Sequence, residues 1–339
     1  MIKASAPGRA GIIGNPTDGY GGSVISCAIA EQAYVTIEKC DKLVFEIGNE
    51  KFVTDGKVEF NTKNERFLIP EAILNYLNIW EIKMHLKAWS DIPFQAGLAG
   101  STAMLVASLN AILKFLNTST GCEDKYHMAE MARTIELNYM KIQCGYQDQY
   151  MTTFGGLNYI DFRDKEQYRQ LKHEIYATVE PLHLCVKELP FVLVHTGVRR
   201  VSGSILKPIR DRWMDGDMKV ILAYEKIAHI CRQGKKALLN KDWIKLGALM
   251  NQNHRIQQEL GASGKENDRL IEIALKNGAL GAKLAGAGGG GTIIALHPKP
   301  DKMIKELKLA GANRILFLDP GKKAEVTDTE DRGGDKNGT

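Results

Sequence analysis

The sequence predicts a two-domain protein of mixed helix and sheet, an α+β chain, and three observations carry that expectation. Its 339 residues exceed the length over which a single hydrophobic core usually grows. Strand-like patterns with helices behind them fill the first half, and a run of long helical patterns dominates the second. A composition of 44% hydrophobic and 25% charged residues is that of a globular chain able to bury large cores.

The elements follow in order. Residues 2–6, 33–40, 43–47 and 82–89 alternate or carry β-branched and aromatic side chains, which suits strands. Residues 101–117 and 124–141 have helical length and spacing. After "FGGLNYIDF" (Phe154 to Phe162), the stretch "RDKEQYRQLKHE" is too polar for a core and reads as a surface excursion before "LPFVLVHTG". Helices are expected at 204–214, 217–238, 241–259 and 265–277, then a strand, a glycine loop, a strand, a helix at 301–310 and a strand at 313–318. A boundary near residue 188 gives domains of 1–187 and 188–325. Residues 326–339 lack apolar anchors beyond Val326 and read as a disordered tail.

Charge and cysteine usage narrow the function. The net charge of +5 comes from scattered Lys and Arg residues, which argues against nucleic acid as a partner and leaves room for an anionic small molecule. Six cysteines show no metal-ligand spacing, the N-terminus does not resemble a signal peptide, and no apolar run approaches the ~20 residues that span a bilayer. A cytoplasmic protein without membrane partners, monomeric or homodimeric, is expected.

Four segments carry candidate chemistry. In "GLAGSTAMLVASLNAIL", Gly97 to Leu113, a glycine turn runs directly into an apolar helix. Unpaired N–H groups and the helix dipole favour a phosphate there, and the glycines at 97 and 100 let the backbone approach it. Ser101 and Thr102 can cap the helix or ligate a magnesium ion; a capped helix in any fold starts the same way. In "APGRAGIIGNPTDGYGGSVIS", Pro and Gly confine the backbone around Arg9, and Asp18 sits in a glycine-rich turn; a plain surface turn has the same composition. In "CGYQDQYMTTFGGLNYIDF", Asp148 lies between two glutamines after a helix and before a Gly-Gly strand entry, where a helix or turn cap is the alternative. In "GAKLAGAGGGGTIIAL", glycines including Gly288 and Gly289 interrupt an apolar strand. The last segment matches G-x-G-x-x-G, yet a strand and not a helix follows it, so it is not a dinucleotide fingerprint.

In this order the four segments, from Pro7 to about Leu296, resemble the GHMP kinase superfamily of galactokinase, homoserine kinase and mevalonate kinase. The resemblance implies an N-terminal domain like the second domain of ribosomal protein S5, a ferredoxin-like C-terminal domain, and ATP in the cleft between them. It assigns the phosphate loop to Pro93 through Ala103, with Gly97, Leu98, Ala99, Gly100, Ser101 and Thr102 between. It implies a magnesium hydroxyl ligand at Thr102, with Ser101 beside it, and a second ligand at Glu136, twelve residues before Asp148. Asp148 takes the general-base role, and Arg9 matches its cationic partner.

For the acceptor, galactokinases read "GEHTDY" where this chain reads "GNPTDGYGG": Asp18 is kept as a sugar-hydroxyl acceptor, while Asn15 and Pro16 replace the Glu-His pair. The segments "GNPTD", "GLAGSTA", "QDQYMTTFGGLNYIDF" and "RDRWMDG" instead resemble those of plant-type glucuronokinases. A uronate carboxylate suits a guanidinium fork, and Arg199, Arg200, Arg210 and Arg212 cluster nearby, although helix-surface arginines are usually just solvated. Tyr20, Gly21 and Trp213 complete the expected sugar subsite, with Gly288 and Gly289 of the glycine loop. The expectation is therefore an ATP- and magnesium-dependent kinase acting on the anomeric hydroxyl of glucuronate or a similar sugar acid. A galactose-type 1-kinase, a heptose 7-phosphate kinase and a non-catalytic binding relative are the alternatives.

Overall fold

A computed structural model describes residues 1–55, 64–117, 124–165, 175–198, 202–289 and 291–328. The first sheet is built on two long strands, β1 (Ile2–Ile13) and β2 (Ser23–Lys39), paired antiparallel with register shifts between Pro7 and Arg9 and between Gly11 and Ile13. Both run well past the sequence expectation. The glycines and Pro7 that suggested a turn are accommodated in β1, whose pairing with β2 carries those two irregularities.

The remaining strands of this sheet are β3 (Leu43–Ile47), β4 (Glu50–Thr54), β5 (Met84–Ser90), β6 (Leu157–Asp161), β7 (Thr178–Pro181) and β12 (Glu325–Asp328). Their order is β12-β1-β2-β5-β3-β4, with β6 on the first half of β2 and β7 beyond it; β3 and β5 run parallel. Four helices accompany them: α1 (Leu68–Leu77), α2 (Gly100–Phe115), α3 (Lys125–Thr134) and α4 (Gln147–Phe154). Almost every residue of α2 from Thr102 to Leu113 is buried, because it lies between β1, β2 and the other helices. The expected helix over 124–141 is α-helical only to Thr134 and continues as a π-helical turn, Ile135–Tyr139.

The second sheet is antiparallel, β11-β8-β10-β9, from β8 (Phe191–His195), β9 (Gly281–Leu284), β10 (Thr292–Leu296) and β11 (Arg314–Leu316). Helices α5 (Ser202–Met214), α6 (Met218–Leu239), α7 (Trp243–Glu259), α8 (Lys265–Lys276) and α9 (Asp301–Leu309) complete this half: α7, α8 and α9 pack on the second sheet, while α6 joins α7 to β1 and β2 of the first and α5 lies against α6. Period-2 alternation explains why β10 is buried throughout and apolar after Thr292: Ile294 and Leu296 join the large core shared with the first sheet, while Ile293 and Ala295 face Leu270, Ile271, Met303 and Leu307 of α8 and α9.

One expectation is corrected. The chain returns to the first sheet after β11: Ile29 bridges Leu318, Asp319 N–H donates to Ala28 O at 2.8 Å, and β12 pairs with β1. The first residues of the expected tail, 326–328, are thus a strand. Strand pairing to β1 supplies the order that local hydrophobicity does not. Asp148, expected between a helix and a strand entry, stands there in the first turn of the short helix α4.

Candidate active site

The two sheets meet at a cavity of about 620 Å³, whose wall includes Arg9, Asn15, Asp18, Glu136, Asp148 and Arg210. Arg9, on β1, is buried. Its Nε donates to Asp148 Oδ1 at 2.8 Å and its Nη2 lies 2.6 Å from the same oxygen. The third nitrogen, Nη1, donates to the Gly97 carbonyl at 2.8 Å, and the Arg9 backbone N–H donates to Leu98 O at 3.0 Å. One residue thereby ties the expected base to the expected phosphate loop.

That loop is shaped by left-handed backbone at Gln95, Gly97 and Ala99. No side chain caps α2, so Ser101 and Thr102 lie within its first turn and its leading N–H groups remain available to an anion. Thr102 is buried and its Oγ1 donates to Glu136 Oε2 at 3.0 Å, while Ser101 is exposed. Gln149 Nε2 donates to the same Glu136 oxygen at 2.8 Å. Burial, reinforced by the nearby Asp148 charge, pushes the Glu136 carboxyl up to about 7. A buried carboxyl held off its ionised form, with a hydroxyl beside it, suits a cation. Magnesium commonly takes one or two protein carboxylates and completes its shell with phosphate oxygens and water. Among the described residues there is no cluster of three or more His, Cys, Asp or Glu that would bind a metal without such help. The donor set therefore fits magnesium arriving with a nucleotide.

Asp18 is buried on the cavity wall, and its Oδ2 accepts from the backbone N–H groups of Tyr146 at 2.8 Å and Gln147 at 3.0 Å. It thus caps α4, the helix that carries Asp148, from a strand connection 128 residues away in sequence. Burial raises the Asp18 carboxyl above its usual range, against the lowering effect of those two N–H groups. Gly145 makes this approach feasible: a Cβ there would sit 2.0 Å from Asp18 Oδ2. The Tyr146 ring is held by Arg133 at 3.9 Å and Lys165 at 4.6 Å from its centroid.

The structure gathers Arg9, Asn15, Asp18, Tyr20, Glu136, Asp148 and Arg210 around the cavity, with Thr102 behind Glu136. It does not bring Arg212 there: its Nε donates to Asp217 Oδ2 at 2.8 Å, at the start of α6. Trp213 packs edge-on against Tyr20, ring centroids 5.1 Å apart. Gly21 is absent from the cavity wall and sits over the Arg163 carbonyl. In the glycine loop, Gly286 and Ala287 line the cavity, whereas Gly288 packs so closely on the Ala262 carbonyl that a Cβ would come within 1.8 Å of it. Gly289 lies against Gly264. Arg199 and Arg200 lie outside the described residues. Sequence reasoning passed over Lys141, Gln143, Lys207 and the buried Lys283; single lysines and a lone glutamine carry no spacing that separates a site from a solvated surface.

A basic residue pinning a carboxylate beside a phosphate-ready helix start, across from a carboxyl-hydroxyl pair, defines a small-molecule phosphotransferase. Three family models match the chain: "GHMP kinases N terminal domain" over residues 68–156, "GHMP kinases C terminal" over 235–312, and "Galactokinase galactose-binding signature" over 2–39. Glucuronokinase 1 of Arabidopsis thaliana is 30% identical over 93% of this chain and 90% of its own length. A D-glycero-alpha-D-manno-heptose 7-phosphate kinase of Campylobacter jejuni is 27% identical over 86% of this chain and 87% of its own. Among solved structures, a D-glycero-D-manno-heptose 1-phosphate kinase from Bacteriodes thetaiotaomicron shares the fold with a TM-score of 0.72, at 20% identity over 97% of this chain and 99% of that one. The chain belongs to the GHMP kinase family, and it is a phosphotransferase with an alcohol group as acceptor and ATP as donor.

Proposed function

We propose that the protein phosphorylates the anomeric hydroxyl of a sugar acid, glucuronate in the first instance, with Asp148 as general base. The observation that carries this reading is the asymmetric grip of Arg9 on Asp148: both contacts fall on Oδ1, so Oδ2 stays outside the ion pair on a side chain that is 34% exposed at the cavity. Arg9 fixes the position of the carboxylate, and Oδ2 accepts the proton of the acceptor hydroxyl as that oxygen attacks the γ-phosphorus. The α2 N-terminus and the loop from Pro93 to Ala103 receive the phosphates. Glu136 and Thr102 would hold magnesium, which when bound neutralises charge on the transferring group.

The acceptor class rests on charge and on kinship. Lys141, Lys207 and Arg210 all contribute to the cavity wall. Arg210 is set by Gln143 Oε1 at 3.0 Å and by Asp211 Oδ1 at 2.8 Å. Such a wall favours an anionic sugar, and the similarity to Arabidopsis glucuronokinase makes a uronate the first choice. The same three cations suit a phosphorylated heptose, the acceptor named for the Campylobacter relative, which is the second reading.

ADP release with ATP and magnesium, measured over glucuronate, galacturonate, glucose, galactose, mannose, arabinose and heptose 7-phosphate, tests the assignment. Selective turnover of glucuronate, with product NMR locating phosphate at the anomeric carbon, is the expected result. Preference for a neutral sugar removes the carboxylate reading, and preference for the heptose phosphate selects the second one.

A further inference from the structure

Lys283 on β9 is fully buried, yet no carboxylate among the described residues pairs with it. Its Nζ donates to Asn15 Oδ1 at 2.7 Å and to the Leu284 carbonyl. The other end of the Asn15 amide donates to the Gly286 carbonyl at 2.8 Å. From α7, Asn253 Oδ1 accepts from Gly14 N–H at 2.9 Å. Three groups of the second sheet and its helices therefore grip residues 14 and 15, where the first sheet's turn enters the cavity wall, and Gly286 is itself part of that wall.

An isolated buried ammonium is costly in a core that an apolar side chain would fill. Its retention points to a task, and the geometry shows which: both polar ends of the Asn15 side chain are committed, one of them to Lys283. Asn15 is consequently a fixed piece of wall between the turn at Pro16 and the glycine loop. The titratable groups that act on Lys283 are Arg9 from β1, the Cys231 thiol from α6 and His254 from α7. Burial, helped by Arg9, brings the ammonium down to about 7.

We propose that Lys283 is a positioning residue for the phosphoryl acceptor: it orients Asn15 and so joins the two sheets across the acceptor side of the cavity, while the phosphate loop is held separately. This rests on the reading of the cavity as the acceptor subsite, but not on which sugar fills it.

Lys283→Met and Lys283→Gln test it, assayed with whichever panel sugar the wild-type protein turns over. Lys283→Met is expected to melt within a few degrees of wild type, to raise the acceptor KM at least ~10-fold, and to leave the ATP KM within about twofold. Lys283→Gln, uncharged but still a donor, falls between. A crystal structure of Lys283→Met addresses the same question without sugar: Asn15 rotated away from the Gly286 carbonyl supports the assignment, and Asn15 unmoved overturns it. An unchanged acceptor KM overturns it too, as does an equal rise in both KM values or failure of both variants to fold, which would make Lys283 purely structural. Failure of glucuronate, with the KM shift present on another sugar, sinks the substrate reading alone.

Discussion

Arg9 meets Asp148 through two nitrogens on a single carboxylate oxygen, at 2.8 and 2.6 Å, while its third nitrogen holds the Gly97 carbonyl. The base and the phosphate loop are consequently set by the same guanidinium. Lysine has one point charge and cannot occupy three directions. Arg9→Lys is expected to lower kcat by roughly 100-fold, the scale of losing one preorganised electrostatic contact. Because Arg9 acts on the reaction through the Asp148 carboxylate it positions, adding Asp148→Asn to Arg9→Lys should cost little more than Asp148→Asn alone. Steady-state kinetics of the two single variants and the double variant decide it; additive losses would separate the two roles.

Glu136 and Thr102 form the cation-ready corner of the site, 3.0 Å apart. Glu136→Gln keeps the shape and removes the ligand charge, so the magnesium concentration for half-maximal rate should rise at least ~10-fold. A magnesium titration at saturating acceptor checks this, and an unchanged midpoint would remove Glu136 from the metal site.

Gly145→Ala would place a methyl group 2.0 Å from Asp18 Oδ2. Either the carboxylate or the backbone before α4 must move, and overpacking of this kind costs about 1–3 kcal/mol. A lower Tm together with a lower kcat is expected, because Asp18 caps the helix that carries Asp148. Thermal unfolding and turnover of the same preparation measure both; a fall in Tm with kcat intact would free Asp148 from Asp18.

The buried Lys283 gives stability a pH signature of definite sign. Its proton is held less tightly in the folded chain, about 7 against 10.5, so between those values the unfolded chain binds more protons. The lysine's contribution to stability therefore rises with pH across that window, and the full penalty of burying the charge is present below it. Melting curves of wild type and Lys283→Met from pH 6 to pH 9 should show the variant's relative Tm highest at pH 6 and declining upward. A pH-independent difference would mean that the ammonium is not under this strain.

Much of this architecture was legible in local patterns. The strand at 43–47, the buried helix from Gly100 and the helices from α5 to α9 follow from spacing and breakers, since in each a single period dominates. β12 and the first half of β2 were not, because neither depends on its own sequence: Glu325–Asp328 is ordered by pairing to β1, and Ser23–Cys27 by pairing to both β1 and β6. At the site, Arg9, Glu136, Asp148 and the phosphate loop stood out through motif order. Lys283 did not, since a lysine in "GAKLAG" discloses its burial only once Asn15, 268 residues away, is seen to meet it. Nor did the sequence disclose that Gly288 packs against the Ala262 carbonyl, an approach that leaves no room for a Cβ.

The assignment of Asp148 is tested most directly by single-turnover phosphoryl transfer in Asp148→Asn, at saturating ATP, magnesium and the sugar that the wild-type protein accepts. Transfer at least ~100-fold slower, with ATP affinity unchanged by calorimetry, is the predicted result. Transfer at the wild-type rate would contradict the role of Asp148 as base.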